Sequence, residues 1–379
     1  MEKKYNRPRI KPIYPIYKLR DNLFRIGAQR GITVEFGDDY GQLWELVNCL
    51  DGHELGDVEK HMISKFPQLT EKDIIDGIQL LDKEGLIEEY EEEYENFPVR
   101  LKPNINYFSH YLASEQKRCD IQKKICESEI LLLGLGGGGS NILTMLAGVS
   151  PKRIVIVDYD KVEESNLGRQ MLYKESDVGK YKCDVAKKEV EKINSSIIIE
   201  AHNKKIVCED DVTNLLDGID IVICAIDEPP FLIQRIVNKA IVKADIPCVF
   251  GASQVSRGRI FTVIPHKTGC YDCLHIHYTK QDPKYMLQFS GFQKIDFKPP
   301  TIAFAPAIFQ LTAVIVDEAV RVLTGYAKPR SLGTQLEINY EDYSSFCLPS
   351  WERYPNECPT CGCGDEKNWK FSVWKENGQ

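Results

Sequence analysis

The sequence predicts an α/β protein, a doubly wound and mostly parallel sheet, preceded by a small α+β domain. Three observations predict it. Between residues 130 and 250, apolar runs of strand length alternate with helical patterns, as in successive β-α-β units. The first of those runs feeds directly into a glycine-rich turn. Before residue 100 the order changes, with two strand-like runs followed by three short helices, which suggests a winged-helix-like fold. The chain has 379 residues, 43% hydrophobic and 27% charged, enough for two domains with cores of their own.

In the first domain, residues 23–26 and 32–36 are short apolar-rich runs separated by Gly27 and Gly31, a hairpin pattern. Leu43, Trp44, Leu46, Val47 and Leu50 recur at helical spacing and end at Asp51-Gly52. Residues 58–66 give a second amphipathic pattern. Thr70 with Asp73 forms an N-cap pair opening a third helix through Ile74, Ile75, Ile78 and Leu81, stopped by Gly85. Residues 86–87 follow as a short strand or wing. Residues 88–95 then carry six glutamates, ahead of Phe97-Pro98. Such a charge run before proline reads as a solvated connector, so the expected domains are 1–100 and 101–379.

In the second domain the strands fall at residues 130–133, 154–158, 197–200, 219–225 and 247–250. The first leads into Gly134-Leu135-Gly136-Gly137-Gly138-Gly139-Ser140-Asn141, which contains G-x-G-x-x-G at Gly134, Gly136 and Gly139. The glycines permit a tight turn and close approach of backbone to phosphate, and the next helix offers its first N–H groups to an anion. The second strand ends at Asp158, where a carboxylate can accept from ribose hydroxyls, as in Rossmann-like domains. Asn166, Arg169, Gln170 and Lys182 come soon after. Cations just past the ribose acid suit a nucleoside triphosphate, whose tail must be neutralised, better than a nicotinamide cofactor.

Cysteine spacing carries a second signal. Cys270-Tyr271-Asp272-Cys273 and Cys358-Pro359-Thr360-Cys361 are two CxxC pairs, the set expected of a closed, structural four-thiolate Zn²⁺ site. His275, His277 and Cys363 are nearby alternates. The formal net charge of −8 argues against a nucleic-acid partner. No apolar run reaches the roughly 18–20 residues that span a membrane. The basic start, residues 1–18, lacks the apolar stretch of a secretory signal. Thirteen cysteines without such a signal point to a reducing, cytoplasmic location.

The glycine loop, Val157-Asp158-Tyr159-Asp160, Ser165-Asn166-Leu167-Gly168-Arg169-Gln170 and Val178-Gly179-Lys180-Tyr181-Lys182 resemble, in order and spacing, the ThiF/MoeB/HesA superfamily of ubiquitin-activating-enzyme-like adenylyltransferases. The resemblance covers roughly residues 105–365. It implies ATP bound by Gly134, Gly136, Gly137, Gly139 and Asp158, with Asn166, Arg169, Gln170 and Lys182 along the phosphates. It implies Mg²⁺ at Asp227, and catalytic parts for Arg169, Lys182 and Asp227. Asp227 is followed by Glu228-Pro229-Pro230 where the superfamily usually has asparagine, and Arg235 and Asn238 fall near its next conserved pair with shifted spacing. It also implies structural zinc on Cys270, Cys273, Cys358 and Cys361, and a homodimer. Residues 274–346 contain no cysteine, which suits adenylation without a thioester step. Cys183, beside Lys182 at a helix start, is a packing thiol or a reactive one.

Two stretches, residues 267–273 and 297–306, resemble the peptide-modifying branch of that superfamily, the microcin C (MccB) and pantocin (PaaA) enzymes. Leu50-Asp51-Gly52, Phe66-Pro67 and residues 80–87 resemble a PqqD-like peptide-recognition element. The resemblance therefore implies a short ribosomal precursor peptide as partner, activated for cyclisation or dehydration in peptide antibiotic biosynthesis. Residues 104–111 lack the arginine that members use to reach a partner subunit's ATP; Arg100 and Arg118 are the nearest substitutes. The apolar stretch 308–323 is a candidate interface or ordinary core. Two other readings are activation of a sulfur-carrier C-terminus and a non-catalytic peptide-docking scaffold.

Overall fold

In the computed structural model the described residues are 5–112, 116–228, 232–285, 287–288 and 301–368. The chain divides into two compact units between Lys124 and Ile125.

The first unit contains β1 (Pro8–Ile10), β2 (Ile16–Arg20), β3 (Leu23–Ile26), β4 (Val34–Gly37), α1 (Gln42–Cys49), α2 (Leu55–Lys65), α3 (Glu71–Lys83), β5 (Ile87–Glu89) and α4 (Lys102–Tyr111); α5 (Arg118–Glu127) spans the division. β2, β3 and β4 form an antiparallel sheet, and β1 pairs with β5. The sequence pattern shows the hairpin of β3 and β4 but not β1 and β2, because Pro8, Pro12 and Pro15 break the alternation there. Phe24, Phe36, Leu46, Val47, Met62, Ile74 and Leu81 are buried in one core, with Phe24 stacked on Phe36. Thr70 and Asp73 cap α3 reciprocally, and Gly85 takes the positive φ that follows the helix.

The glutamate run is not a solvated connector. Glu88 lies in β5, and Glu88 and Glu91 are both buried. Glu88 accepts hydrogen bonds from Arg9 Nη2 and the Ser109 hydroxyl, each at 2.5 Å, and Glu91 accepts one from the Cys119 N–H. Arg118, 1% exposed, lies beside both carboxylates and over the Tyr94 ring. These bonds hold residues 99–119 within the first unit, which is why the division falls beyond the expected boundary near residue 100. Their burial also withdraws Arg118 as a cation able to reach a neighbouring subunit.

The second unit contains β6 (Glu129–Leu133), α6 (Gly137–Val149), β7 (Arg153–Val157), α7 (Lys182–Ile193), β8 (Ile198–His202), α8 (Glu209–Thr213), β9 (Ile221–Cys224), α9 (Leu232–Ala244), β10 (Cys248–Ser253), β11 (Arg257–Val263), α10 (Tyr271–Gln281), α11 (Ala305–Thr324), β12 (Leu336–Asn339) and β13 (Ser345–Cys347). One eight-stranded sheet runs β13-β12-β11-β10-β9-β6-β7-β8. From β10 to β8 all pairs are parallel, and β11, β12 and β13 add antiparallel strands at one side. β6, β7, β9 and β10 are nearly continuous apolar runs, as strands covered on both faces must be. Strand order reverses at β6, whose neighbours are β7 and β9, and that reversal opens a crevice at the carboxyl ends of the strands. The stretch expected as core or interface is α11. It buries Leu311, Ile315 and Ala319, and packs closely over Gly251 of β10 and Gly258 of β11, where a Cβ would lie 2.2 Å from Ile315 and 2.8 Å from Leu311. No helix among the described residues is long and apolar enough to cross a membrane.

Candidate functional site

A cavity of about 500 Å³ opens along the carboxyl edge of the parallel strands. Each strand end contributes in turn. β8 is followed by Lys204 and Lys205, β7 by Asp158, Tyr159 and Asp160, β6 by Gly134, Gly136, Gly137 and Gly138, β9 by Asp227 and Glu228, and β10 supplies Gly251, Ala252 and Ser253. Asn166, Arg169 and Gln170 close it from the loop before α7, and Lys182 from the first position of that helix. The sequence-predicted nucleotide residues thus gather in one crevice, with one exception. Gly139 does not line it. A Cβ there would stand 1.8 Å from the Gly134 carbonyl oxygen, so this glycine serves to bring α6 against the turn.

The loop is fixed by hydrogen bonds at its centre. The Leu135 N–H donates to Asp158 Oδ2 at 2.6 Å, and the buried Tyr173 hydroxyl donates to the Leu135 carbonyl at 3.0 Å. Gly134 holds φ +91° with no room for a side chain against Ala225. Arg169 lies over Gly137, where a Cβ would meet its side chain at 3.3 Å, and donates from Nη1 to the Ser165 carbonyl at 2.8 Å. Gln170 is 1% exposed, and its buried Oε1 has no hydrogen-bond partner among the described residues.

Asp158 also accepts the Asp160 N–H at 2.8 Å. Its burial pushes the carboxyl above the usual aspartate range, while the nearby Lys182 ammonium and the two N–H donors pull it back. Lys182 opens α7 with its side chain 5% exposed, and its Nζ donates to Asp160 Oδ2 at 2.8 Å. The crevice therefore carries cations (Arg169, Lys182, Lys204, Lys205) around a glycine turn that leads into the N-terminus of α6, a combination that suits a polyphosphate. Asp227 and Glu228 are exposed carboxylates on its β9 side, oxygen donors of the kind Mg²⁺ takes.

Sequence reasoning did not assign Lys204, Lys205, Asp160 or Tyr173 to the site. Lys204 and Lys205 follow β8 directly, so the rule that ligands bind beyond the carboxyl ends of parallel strands would have found them. Tyr173 carried no local signal. Arg235 and Asn238, which fall near the superfamily's next conserved pair with shifted spacing, do not line the crevice. Arg235 donates to the buried Asp272 at 3.0 Å and pairs with Glu366, and Asn238 Oδ1 accepts the Tyr271 N–H. Cys183 is buried, its sulfur directed at the Asp158 and His202 carbonyls, and burial pushes its thiol up to about 12. It is a packing thiol. Residues 297–300 and 229–230, parts of the quoted motifs, lie outside the described residues.

The four cysteines meet. Sγ–Sγ separations are 3.9 Å (Cys270–Cys273), 3.5 Å (Cys270–Cys358), 3.3 Å (Cys273–Cys361) and 3.6 Å (Cys358–Cys361). A zinc tetrahedron with ~2.3 Å Zn–S bonds has edges of about 3.8 Å, whereas a disulfide needs about 2.05 Å, so the cluster fits a metal and not two disulfides. The Tyr354 and Cys361 N–H groups point at the Cys273 and Cys358 sulfurs, each at 3.4 Å, as donors around thiolates do. Asp272, between the first two cysteines, accepts from Arg235 and from the Thr360 hydroxyl at 2.6 Å, tying one CxxC pair to the other. His275 is not a ligand. Burial lowers it to about 3, leaving a neutral ring beside the Tyr285 hydroxyl. His277 faces Tyr354, and Cys363 is exposed.

Comparison with known proteins follows the same lines. Residues 107–361 match the ThiF family. The sulfur carrier protein adenylyltransferase of Thermus thermophilus is 31% identical over 271 residues, 69% of this chain and 92% of that protein. Two crystal structures of MccB from E. coli, one with ATP and one with AMPCPP and MccA, are 24% and 23% identical. Each has a TM-score of 0.74 and covers 94% of this chain, against 99% and 100% of theirs. A crystal structure of PaaA is 20% identical, with a TM-score of 0.67, covering 89% of this chain and 99% of its own.

Proposed function

This chain belongs to the ThiF family, and from that premise we propose that it is an ATP-dependent adenylyltransferase acting on a carboxylate of a short, ribosomally made precursor peptide. A carboxylate is ionised at neutral pH and needs no general base. Its oxygen attacks the α-phosphorus, the new C(O)O–P bond forms, the bond to the bridging oxygen breaks, and pyrophosphate leaves with the electron pair. Asp158 holds the ribose. Arg169 and Lys182 neutralise charge on the phosphates, and the Gly134–Gly138 turn fixes the chain of phosphates in line. Asp227, with Glu228 beside it, would hold Mg²⁺, which supplies charge neutralisation on the departing pyrophosphate. A Zn²⁺ on Cys270, Cys273, Cys358 and Cys361 would be structural, since four thiolates leave no open position. The acyl-adenylate is then open to attack by an amide nitrogen or side chain of the same peptide.

The observation that carries the peptide reading is extent. The MccB structure determined with MccA spans 94% of this chain in fold, the first unit largely included, whereas the sequence match to the carrier-protein adenylyltransferase spans 69%. We assign leader-peptide recognition, by a PqqD-like element, to the first unit and adenylation to the second, in a cytoplasmic homodimer. The 31% identity to the Thermus thermophilus protein favours a second reading, activation of a sulfur-carrier C-terminus.

Exchange of labelled pyrophosphate into ATP tests both. Exchange supported by a short peptide encoded beside this gene is the expected result. Exchange only with a Gly-Gly-terminated carrier selects the second reading, and none with either selects a docking scaffold. Asp227→Ala should abolish exchange in a folded protein that still binds the leader segment.

A further inference from the structure

Among the described residues, one group besides the four cysteines brings three metal-binding side chains together: Glu45, Cys49 and His61, in the first unit. Glu45 and Cys49 are four residues apart on α1, so their side chains leave the same face of that helix one turn apart. His61 lies on α2, and its Nε2 stands 2.8 Å from Glu45 Oε1. One ligand atom from each of the three, the Cys49 sulfur included, lies within 4.8 Å of the other two. The two helices are anchored by Leu46, Val47, Val58 and Met62 in the core, and Cys49 packs against that core. The group opens to solvent on the His61 side, where the side chain is 51% exposed against 19% for Glu45. Lys65, one turn further along α2, pairs with the other Glu45 oxygen at 2.7 Å, so Oε1 is the oxygen turned to His61.

We propose that Glu45, Cys49 and His61 form a second zinc site, one that fastens α1 to α2 and exchanges its ion with solution. The donor set decides the metal. A thiolate and an imidazole beside a single carboxylate suit Zn²⁺, whereas Mg²⁺ and Ca²⁺ take oxygen ligands. Zinc bonds of ~2.0–2.3 Å set the donors of a tetrahedron roughly 3.3–3.6 Å apart, so atoms already grouped this closely reach one ion by small side-chain rotations. The Cys49 thiol proton passes to solvent as the Zn–S bond forms, and His61 binds through Nε2 with its remaining proton on Nδ1. Three protein ligands leave the fourth position to water, unlike the closed four-thiolate set. That open position, and the Lys65 ammonium beside Glu45, make this the weaker of the two sites. A nucleophilic part for Cys49 does not fit, because burial and the Glu45 and Asp51 carboxylates push its thiol up in spite of Lys65. None of these residues lines the crevice, so the site stands or falls independently of the adenylyltransferase reading.

Metal titration of the full chain tests this. The chain, with its four-thiolate site filled and loosely held metal dialysed away, is titrated with Zn²⁺ by calorimetry and with Co²⁺ by absorption. One further equivalent of Zn²⁺ should bind and raise the melting temperature. Co²⁺ should give the ligand-field bands of a four-coordinate ion together with a thiolate-to-cobalt charge-transfer band. His61→Gln, at an exposed position outside the core, should weaken the added equivalent at least about tenfold, since even groups that only support a ligand are worth that much. Cys49→Ser should weaken it similarly and remove the charge-transfer band. Absence of an added equivalent in the unaltered chain overturns the proposal. So does an added equivalent that either variant keeps at full affinity, which places the ion on surface groups elsewhere. Cobalt absorption without the charge-transfer band overturns it too, because the thiolate is then no ligand. If Cys49→Ser fails to fold, the affinity of His61→Gln and the cobalt spectrum of the unaltered chain decide.

Discussion

Asp158 shows how much one side chain does in this crevice. Its two oxygens accept the N–H groups of Leu135 and Asp160, so it braces the glycine turn before any ribose arrives. A carboxylate has about four acceptor positions, which leaves capacity for ribose hydroxyls. Burial holds its proton more tightly in the folded chain than in the unfolded one. Its effect on stability is therefore favourable in acid and is lost as pH rises through its raised pKa. Its effect on ligand has the opposite sign, because a ribose hydroxyl donates to the ionised form. Affinity for 5′-sulfamoyladenosine, measured by calorimetry, should fall as pH is lowered, with the loss beginning above the pH at which an ordinary aspartate protonates. An Asp158→Asn variant that is folded and binds it as tightly as the unaltered chain removes Asp158 from the ribose. This residue was legible because a strand end and a glycine turn place it locally. The contact of Arg235 was not legible for the converse reason: its partner Asp272 lies far off in sequence, and spacing along one helix says nothing of a tertiary ion pair.

At the scale of elements, the strand–turn–helix of β6 and α6 is the most tightly determined piece. Gly139 fits only without a side chain, and the obstacle is backbone rather than a movable side chain. Gly139→Ala should therefore lower stability by about 2–4 kcal/mol, read as a drop in melting temperature, whereas the same change at Gly148, where a Cβ meets nothing within 4 Å, should be neutral or stabilising. An unaltered melting temperature for Gly139→Ala would mean that α6 does not sit where we describe it. The parallel strands were visible in the sequence because burial on both faces leaves unbroken apolar runs. β12 and β13 were not, being four and three residues long, with β13 exposed throughout. The glutamate run misled for a related reason. Composition reports charge, and only the fold shows Arg9, Ser109 and Arg118 gathered around Glu88 and Glu91.

On the scale of the whole chain, the cysteine cluster joins residues nearly 90 positions apart, and Asp272 reinforces the junction. Zinc binding to such sites contributes on the order of 10–16 kcal/mol in isolated peptides, more than a typical domain's net stability. The purified chain should hold one zinc per protomer by elemental analysis, and stripping it with a chelator should lower the melting temperature sharply. Retained stability in a zinc-free sample would show that the cluster is only a packed set of thiols. Asp272→Asn, which removes the charge from the Arg235 and Thr360 contacts, should make the metal easier to strip without altering its stoichiometry. The central claim concerns the other end of the second unit: a triphosphate lies along the carboxyl edge of the parallel sheet, ribose at Asp158 and phosphates over residues 134–138. A crystal structure with a non-hydrolysable ATP analogue and Mg²⁺ tests it most directly. Density for the phosphates between the glycine turn, Arg169 and Lys182, with metal at Asp227, is the predicted result. An empty crevice at saturating nucleotide, or phosphates bound away from that turn, would contradict it.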